Sequence, residues 1–142
     1  MNIAVRYYTK GGNTRKVADA IAQALNVPAN DISTPLSDPV DLLFLGGSVY
    51  GFELDPELRD YIATLTPDQV KSVAIFSTSA FSQAGNKSMV KKLAQQDIPV
   101  LQPAFYCHGE FKFTRKGHPN AADLEAAAAF AKKTVADKQA SL

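Results

Sequence analysis

Apolar runs and helical patterns alternate along the chain. Four short runs rich in aliphatic and aromatic residues, at 3–8, 40–45, 73–77 and 100–107, predict buried strands. Each is followed by a segment in which apolar residues recur at helical spacing, at 16–25, 54–65, 89–96 and 121–138. This alternation is typical of an α/β protein whose parallel sheet is covered by helices on both faces.

A fifth strand is expected at an edge of this sheet, within residues 26–32. Pro28 has no backbone N–H to donate, so this segment fits an edge strand better than a central one. The chain has 142 residues, 46% of them apolar, which is the size and composition of one domain. We therefore expect a single domain over residues 1–142, built on a five-stranded doubly wound sheet.

Two helix starts carry capping signals. Asp55 stands before Pro56, which places a carboxylate at the cap and a proline at the first helical position. Asn120 stands three residues before Asp123, in the spacing of a capping box. Helices are therefore predicted to begin at about residues 56 and 121.

Charge and cysteine content exclude several classes of function. With 15 basic and 14 acidic residues the formal charge is +1, and the scattered Lys and Arg argue against a nucleic-acid partner. The sequence shows neither a secretion signal nor an apolar stretch of membrane length, so a soluble cytoplasmic protein is expected. Cys107 is the only cysteine; it is expected to pack in the core, and redox chemistry would require a bound cofactor.

A loop rich in glycine and hydroxyl groups joins the first strand to the first helix. It reads Thr9-Lys10-Gly11-Gly12-Asn13-Thr14. Backbone N–H groups at a helix start lack intrahelical partners and lie at the positive end of the helix dipole. They can therefore bind a phosphate, and the side chains of Thr9, Asn13 and Thr14 add neutral donors.

The spacing in this loop matches neither the G-x-x-x-x-G-K-S/T pattern of triphosphate loops nor the G-x-G-x-x-G pattern of dinucleotide sites. It predicts a cradle for a phosphate monoester. An ordinary strand-to-helix turn capped by Thr or Asn would use the same residue types, so the loop alone leaves both interpretations open.

Two further loops are expected beside the first, because ligands of open parallel sheets bind where the strand order reverses. Residues 46–54 follow the third predicted strand and residues 77–86 follow the fourth. Tyr50, Phe52 or Phe81 is expected to stack on a flat ring while the first loop holds a phosphate. The three loops together imply a mononucleotide ligand.

Residues 8–14 resemble the phosphate loop of the flavodoxins, in which Ser/Thr-x-Ser/Thr-Gly-Asn-Thr follows the first strand. Residues 43–51 and 73–79 are similar to the third and fourth strands of that family, and residues 107–133 to the end of its small members. The resemblance implies a flavodoxin-like fold of the short-chain type, with strand order 2-1-3-4-5 and helices on both faces.

One position departs from the family pattern. Gly11 stands where the flavodoxins usually carry a second hydroxyl, so one hydrogen bond to the phosphate is expected to be missing. A hydrogen bond to a charged group contributes roughly 1.5–3 kcal/mol, which corresponds to about a tenfold to hundredfold change in affinity.

The resemblance implies noncovalent FMN as the cofactor, with no catalytic residue or metal ligand assigned. It places the first loop around the phosphate and the other two loops beside the ring. It also suggests a redox-linked peptide flip at Gly47 or Gly51, since glycine tolerates positive φ. The implied cofactor-binding residues are Thr9, Lys10, Gly11, Gly12, Asn13, Thr14, Ser48, Val49, Tyr50, Gly51, Phe52, Thr78, Ser79, Ala80 and Phe81.

The function implied by the resemblance is electron transfer. A monomeric carrier would shuttle low-potential electrons between redox proteins, namely a flavin reductase and iron–sulfur donors or acceptors, without a membrane partner. The chain differs in two features from the acidic carriers that bear a tryptophan beside the ring. Its formal charge is +1, and it has no tryptophan. An FMN-dependent NAD(P)H:quinone-type oxidoreductase, acting as a dimer, is therefore the alternative.

A flavin-free interaction domain of the same fold is a third possibility, because of Gly11. A phosphoacceptor receiver domain is disfavoured, since it needs an acidic pair after the first strand and an aspartate ending the third. Those places hold Thr9-Lys10 and Gly46-Gly47.

Overall fold

The computed structural model describes residues 1–50, 53–79, 84–110 and 115–141. Strands and helices alternate along these ranges. The strands are β1 (Ile3–Tyr8), β2 (Ala29–Asp31), β3 (Leu42–Tyr50), β4 (Glu53–Leu54), β5 (Val73–Ser79) and β6 (Val100–His108). The helices are α1 (Asn13–Leu25), α2 (Pro56–Thr64), α3 (Ala84–Gln95) and α4 (Ala121–Ala140).

The main sheet has the order β2-β1-β3-β5-β6, and each of its neighbouring pairs is parallel. Counted without β4, this is the predicted five-stranded sheet of order 2-1-3-4-5, which is thereby confirmed. The two-residue strand β4 pairs antiparallel with the end of β3 and was not predicted. It occupies the start of the segment that we expected to be helical, so α2 begins after it.

Both central strands extend further than the sequence pattern indicates. The sequence pattern predicts that Gly46, Gly47 and Thr78 lie in loops, but β3 continues to Tyr50 and β5 to Ser79. The physical reason is pairing on two sides: Gly47 is in register with residues of β1 and of β5, which keeps the backbone extended.

The adjacent glycines of β3 let large side chains pack closely against the sheet. A Cβ at Gly46 would overlap the ring of Phe76, and one at Gly47 would overlap Cδ2 of Leu58, a buried residue of α2. A peptide flip at Gly47 would also disrupt pairing in the middle of the sheet. The flip hypothesis is thus disfavoured at Gly47, and Gly51 lies outside the described residues.

The core forms two layers, one on each face of the sheet. α1 and α4 cover one face, where Val17, Ile21 and Ala127 pack on Phe44 and Phe76. α2 and α3 cover the opposite face, and their buried side chains there are Leu58, Ile62, Met89 and Leu93. No helix within the described ranges is long and apolar enough to cross a membrane.

The predicted helix caps are present. Asp55 Oδ1 accepts the Glu57 backbone N–H at 2.9 Å. At α4 the Asn120 side chain accepts the Asp123 N–H at 2.9 Å, while Asp123 Oδ2 accepts the Asn120 N–H at 2.9 Å. His118 Nδ1 lies 2.7 Å from Asp123 Oδ2 as well, so this carboxylate joins the segment before α4 to its first turn.

Partial burial acts to raise the pKa of Asp123, but other effects outweigh it. The backbone hydrogen bond from Asn120, the hydrogen bond and charge of His118, and the charge of His108 together hold the pKa of Asp123 below its usual 3.8. A carboxyl group whose pKa is lower in the folded protein stabilises the fold at pH values above its unfolded pKa, and this contribution is lost as the pH falls through the folded pKa.

We expect Gly47→Ala to destabilise the protein by about 1–3 kcal/mol, because the added methyl group would overlap Leu58 in a closely packed core. Urea unfolding would measure the change. In a double-mutant cycle, Leu58→Val should relieve part of the overlap, so the double variant should be more stable than the sum of the single effects. Strict additivity of the two changes would contradict this explanation.

We expect Asp123→Asn to lower stability most above about pH 4, and the difference from the wild type to shrink as the pH falls below the unfolded pKa and through the lower folded pKa of this carboxyl group. The reason is that protonation removes from the wild type the same charge that the substitution removes. Urea unfolding across this range would measure it. Asp137→Asn is the matched control, because its exposed carboxylate pairs with Lys133 on the surface of the same helix. A difference between Asp123→Asn and wild type that stays constant with pH would contradict the assignment.

Candidate functional site

The loop between β1 and α1 is shaped by its own side chains. Thr9 Oγ1 accepts the Gly12 backbone N–H at 2.9 Å, which closes the turn. Gly12 has φ of 89°, a conformation that L side chains rarely adopt, although the space around it is open. Since the Thr9 hydroxyl accepts this bond, its own hydrogen is still able to donate to a ligand.

The first turn of α1 lacks the features that satisfy the starts of α2 and α4. No side chain in the described ranges caps it, and no acidic residue lies in its first turn, where Arg15 and Lys16 are found instead. By contrast, α2 and α4 each have a capping side chain and an acidic residue in the first turn. The N-terminal N–H groups of α1 therefore form a suitable site for an anion.

Thr14 turns its side chain away from solvent and toward the sheet. It is fully buried, with Oγ1 2.6 Å from Ser48 Oγ and 2.9 Å from Thr78 Oγ1. Ser48 Oγ and Thr78 Oγ1 are 3.3 Å apart. The three hydroxyl groups, which we call the hydroxyl ring, join the start of α1 to β3 and β5.

Asn13 binds the segment after β6. Its Nδ2 donates to the carbonyl oxygen of Glu110 at 2.8 Å. Glu110 in turn donates its N–H to the His118 carbonyl at 2.8 Å and accepts the Gly117 N–H on its carboxylate at 3.0 Å. The first loop is therefore held from both sides, by the hydroxyl ring and by this segment.

Lys10 extends from the same loop toward α2. Its Nζ lies 3.1 Å from Oδ2 of Asp55, whose side chain is almost completely buried at the helix cap. Nearby, partial burial and the carboxylates of Asp55 and Glu57 raise the pKa of Tyr8, whose hydroxyl therefore remains protonated at neutral pH. The positive charge of Lys10 is thus balanced by a neighbouring carboxylate.

The two loops expected beside the flavin ring, at residues 46–54 and 77–86, are described only in part. Ser48 and Thr78 are buried in the hydroxyl ring, and Val49 and Tyr50 form the end of β3, paired with Leu54 and Glu53. Four predicted cofactor-binding residues lie outside the described residues, so their contacts with a ring stay predictions. These are Gly51, Phe52, Ala80 and Phe81.

Ser79, at the end of β5, contacts two residues that the sequence did not indicate, one in β6 and one directly after it. Its carbonyl oxygen accepts the Tyr106 hydroxyl at 3.0 Å and the Gly109 N–H at 3.2 Å. Burial raises the pKa of Tyr106, so its hydroxyl remains a donor at neutral pH. The roles of Tyr106 and Glu110 depend on contacts between distant segments, and neither lies in a recognisable local motif.

Cys107 lies beside these residues but takes no part in the site. It is buried in the core layer of α1 and α4, as expected. Burial, together with the charge of Asp123, raises the pKa of its thiol to about 12, so the reactive thiolate is scarce at neutral pH.

Solved structures with the same arrangement of strands and helices are known. Flavodoxin 2 from Bacillus cereus, in its oxidised form, has a TM-score of 0.74 at 19% identity, covering 96% of this chain and 99% of that one. A flavodoxin from the domain Archaea has a TM-score of 0.79 at 15% identity, covering 96% and 98%. At these identities the similarity shows a shared fold.

The same fold is also found within a larger protein. Rubredoxin oxygen:oxidoreductase from Desulfovibrio gigas has a TM-score of 0.73 at 17% identity, covering 98% of this chain but only 36% of that one. No curated protein sequence matches this chain. The sequence model of the flavodoxin domain, however, matches residues 4–111, which include both the phosphate-loop motif and the central strands. The chain therefore belongs to the flavodoxin domain family.

Proposed function

We propose that this protein is a cytoplasmic flavodoxin that binds FMN noncovalently and carries electrons between redox proteins. The observation that carries the proposal is the first turn of α1, which contains no acidic residue and is capped by no side chain in the part of the chain that the structure describes. It lies where β1, β3 and β5 end, beside the region expected to hold the ring.

The residues of this turn fit a phosphate group. The backbone N–H groups of Asn13, Thr14 and Arg15 have no hydrogen-bond partner in the part of the chain that the structure describes. The Thr9 hydroxyl and the second hydrogen of the Asn13 amide add neutral donors. These groups would hold the phosphate.

The ring of FMN would lie between the ends of β3 and β5 and the loops that follow them. When bound, FMN supplies one-electron and two-electron transfer, and the protein binds it and sets its surroundings. The residues expected beside the ring are Ser48, Val49, Tyr50, Gly51, Phe52, Thr78, Ser79, Ala80 and Phe81.

The direct test is retention of FMN. After incubation with FMN and removal of the unbound ligand, the purified protein should keep a flavin absorption spectrum. Under anaerobic conditions, NAD(P)H alone should leave that spectrum unchanged, and an added flavin reductase should bleach it. Bleaching by NAD(P)H alone would support the oxidoreductase instead, and failure to retain FMN would support a flavin-free interaction domain.

Gly11→Ser is expected to increase the affinity for FMN, because it restores the hydroxyl that the family usually carries at this position. One additional hydrogen bond to the phosphate corresponds to about a tenfold to hundredfold decrease in Kd. Fluorescence titration would measure the change. Gly11→Ala is the matched control, since it adds a side chain without a donor; equal affinities of the two variants would contradict the assigned role of this hydroxyl.

A further inference from the structure

Helix α3 differs from the other helices in its charge. It contains Lys87, Lys91 and Lys92 but no acidic residue, so its formal charge is +3. The other helices mix both signs, with formal charges of +1 for α1, −1 for α2 and 0 for α4. Lys87 and Lys91 are exposed, and none of the three lysines forms an ion pair with a described residue. We call these three residues the lysine face.

The spacing of the lysine face does not favour the helix itself. Lys87 and Lys91 are four residues apart, so their side chains project from the same side of α3 and their charges repel each other. At the same spacing α1 has an ion pair between Arg15 and Asp19, and α4 has an ion pair as well. A repulsion on an exposed helix face, where other helices of the chain place opposite charges, is typical of a functional surface.

The helix begins beside the expected position of the flavin ring. It follows β5, whose last residue is Ser79, and it contacts β4 at the end of β3. Lys87 is the fourth residue of α3, and Lys91 lies about 6 Å further along the helix axis. The lysine face therefore starts near the edge of the sheet at which the proposed site lies.

The acidic residues at the start of α2 are mostly paired with cations. The buried carboxylate of Asp55 lies 3.1 Å from Nζ of Lys10. The carboxylate of Asp60 lies 3.6 Å from Nε of Arg59. Glu57 is exposed and has no ion pair with a described residue. Among the four helices, the largest uncompensated charge is therefore positive and belongs to α3.

We infer that the lysine face of α3 is a docking surface for an acidic redox protein. This inference rests on the proposed function and specifies the partner. Carboxylates of the partner pair with the lysines and steer it toward the ring. Glu57, which lines a cavity with Tyr8 at the end of β1, repels the same carboxylates. The opposite charges on the two sides of the site thus orient the partner.

The experiment measures electron transfer from the reduced, FMN-loaded protein to two haem proteins by stopped-flow absorbance. Cytochrome b5 is the acidic acceptor, and cytochrome c is the basic one. At an ionic strength of about 0.1 M, Lys87→Gln/Lys91→Gln should lower the second-order rate constant with cytochrome b5 by roughly threefold to tenfold, because attraction to the acidic acceptor is lost. With cytochrome c, the same variant should react at least as fast as the wild type, since repulsion is reduced.

The matched control is Lys71→Gln/Lys132→Gln, which removes the same charge from exposed positions elsewhere. Lys71 lies before the start of β5, at the opposite edge of the sheet, and Lys132 lies on α4, which covers the opposite face. This control should change the rate constant with cytochrome b5 by less than about twofold, because the Debye length is about 10 Å at this ionic strength. At about 1 M salt, where that length is about 3 Å, all three proteins should react alike.

Several outcomes would overturn the inference. These are an equal decrease in the control, a decrease that persists at high ionic strength, a similar decrease with both acceptors, or loss of FMN from Lys87→Gln/Lys91→Gln. Urea unfolding should find this variant at least as stable as the wild type, because it removes a repulsion. If the wild type does not retain FMN, the proposed function fails and this inference fails with it. If it retains FMN and its reaction with cytochrome b5 is insensitive to the lysine face, only this inference fails.

Discussion

The hydrogen bonds that link the Thr14 hydroxyl with those of Ser48 and Thr78 join the start of α1 to both central strands, and the arrangement of the candidate site depends on them. They connect residues 34 and 64 positions apart in the sequence. They also satisfy three buried hydroxyl groups that would otherwise oppose folding. Because α1 is fixed in this way, its N–H groups can remain exposed to a ligand without the helix start needing a cap of its own.

The charges around the loop suggest how an anion would be held. Lys10 forms an ion pair with the buried carboxylate of Asp55, and Arg15 pairs with Asp19 along α1. Lys10 and Arg15 thus each have an acidic neighbour, so backbone N–H groups and the helix dipole would provide much of the stabilisation of a bound phosphate. Such an arrangement requires accurate positioning of dipoles, which the hydroxyl ring and the Asn13–Glu110 contact both favour.

Local patterns predicted the alternation of strands and helices and the caps at Asp55 and Asn120, because apolar periodicity and capping chemistry depend on neighbouring residues. The strand order was predicted from the resemblance to the flavodoxins. Local patterns failed at Gly46 and Gly47, which resemble a loop in sequence. There β3 stays extended because it is paired on both sides, and the missing side chains leave room for Phe76 and Leu58. The hydroxyl ring could not be predicted either: each member looks like a ligand-binding residue alone, and only the register of β3 against β5 brings them together.

This fold occurs both as a whole flavodoxin and as about a third of a larger oxidoreductase. Binding of the phosphate and choice of a partner can therefore be considered separately. In the proposed site, the phosphate would be held by backbone donors, and this chemistry would be independent of a redox partner. The choice of a partner would then depend on surfaces outside the cradle. One such surface carries the exposed carboxylate of Glu57, whose negative charge, together with that of the buried Asp55, contributes to the raised pKa of Tyr8. A near-neutral chain can still present a locally negative face beside its site, because attraction to a partner depends on where charges lie as well as on their sum.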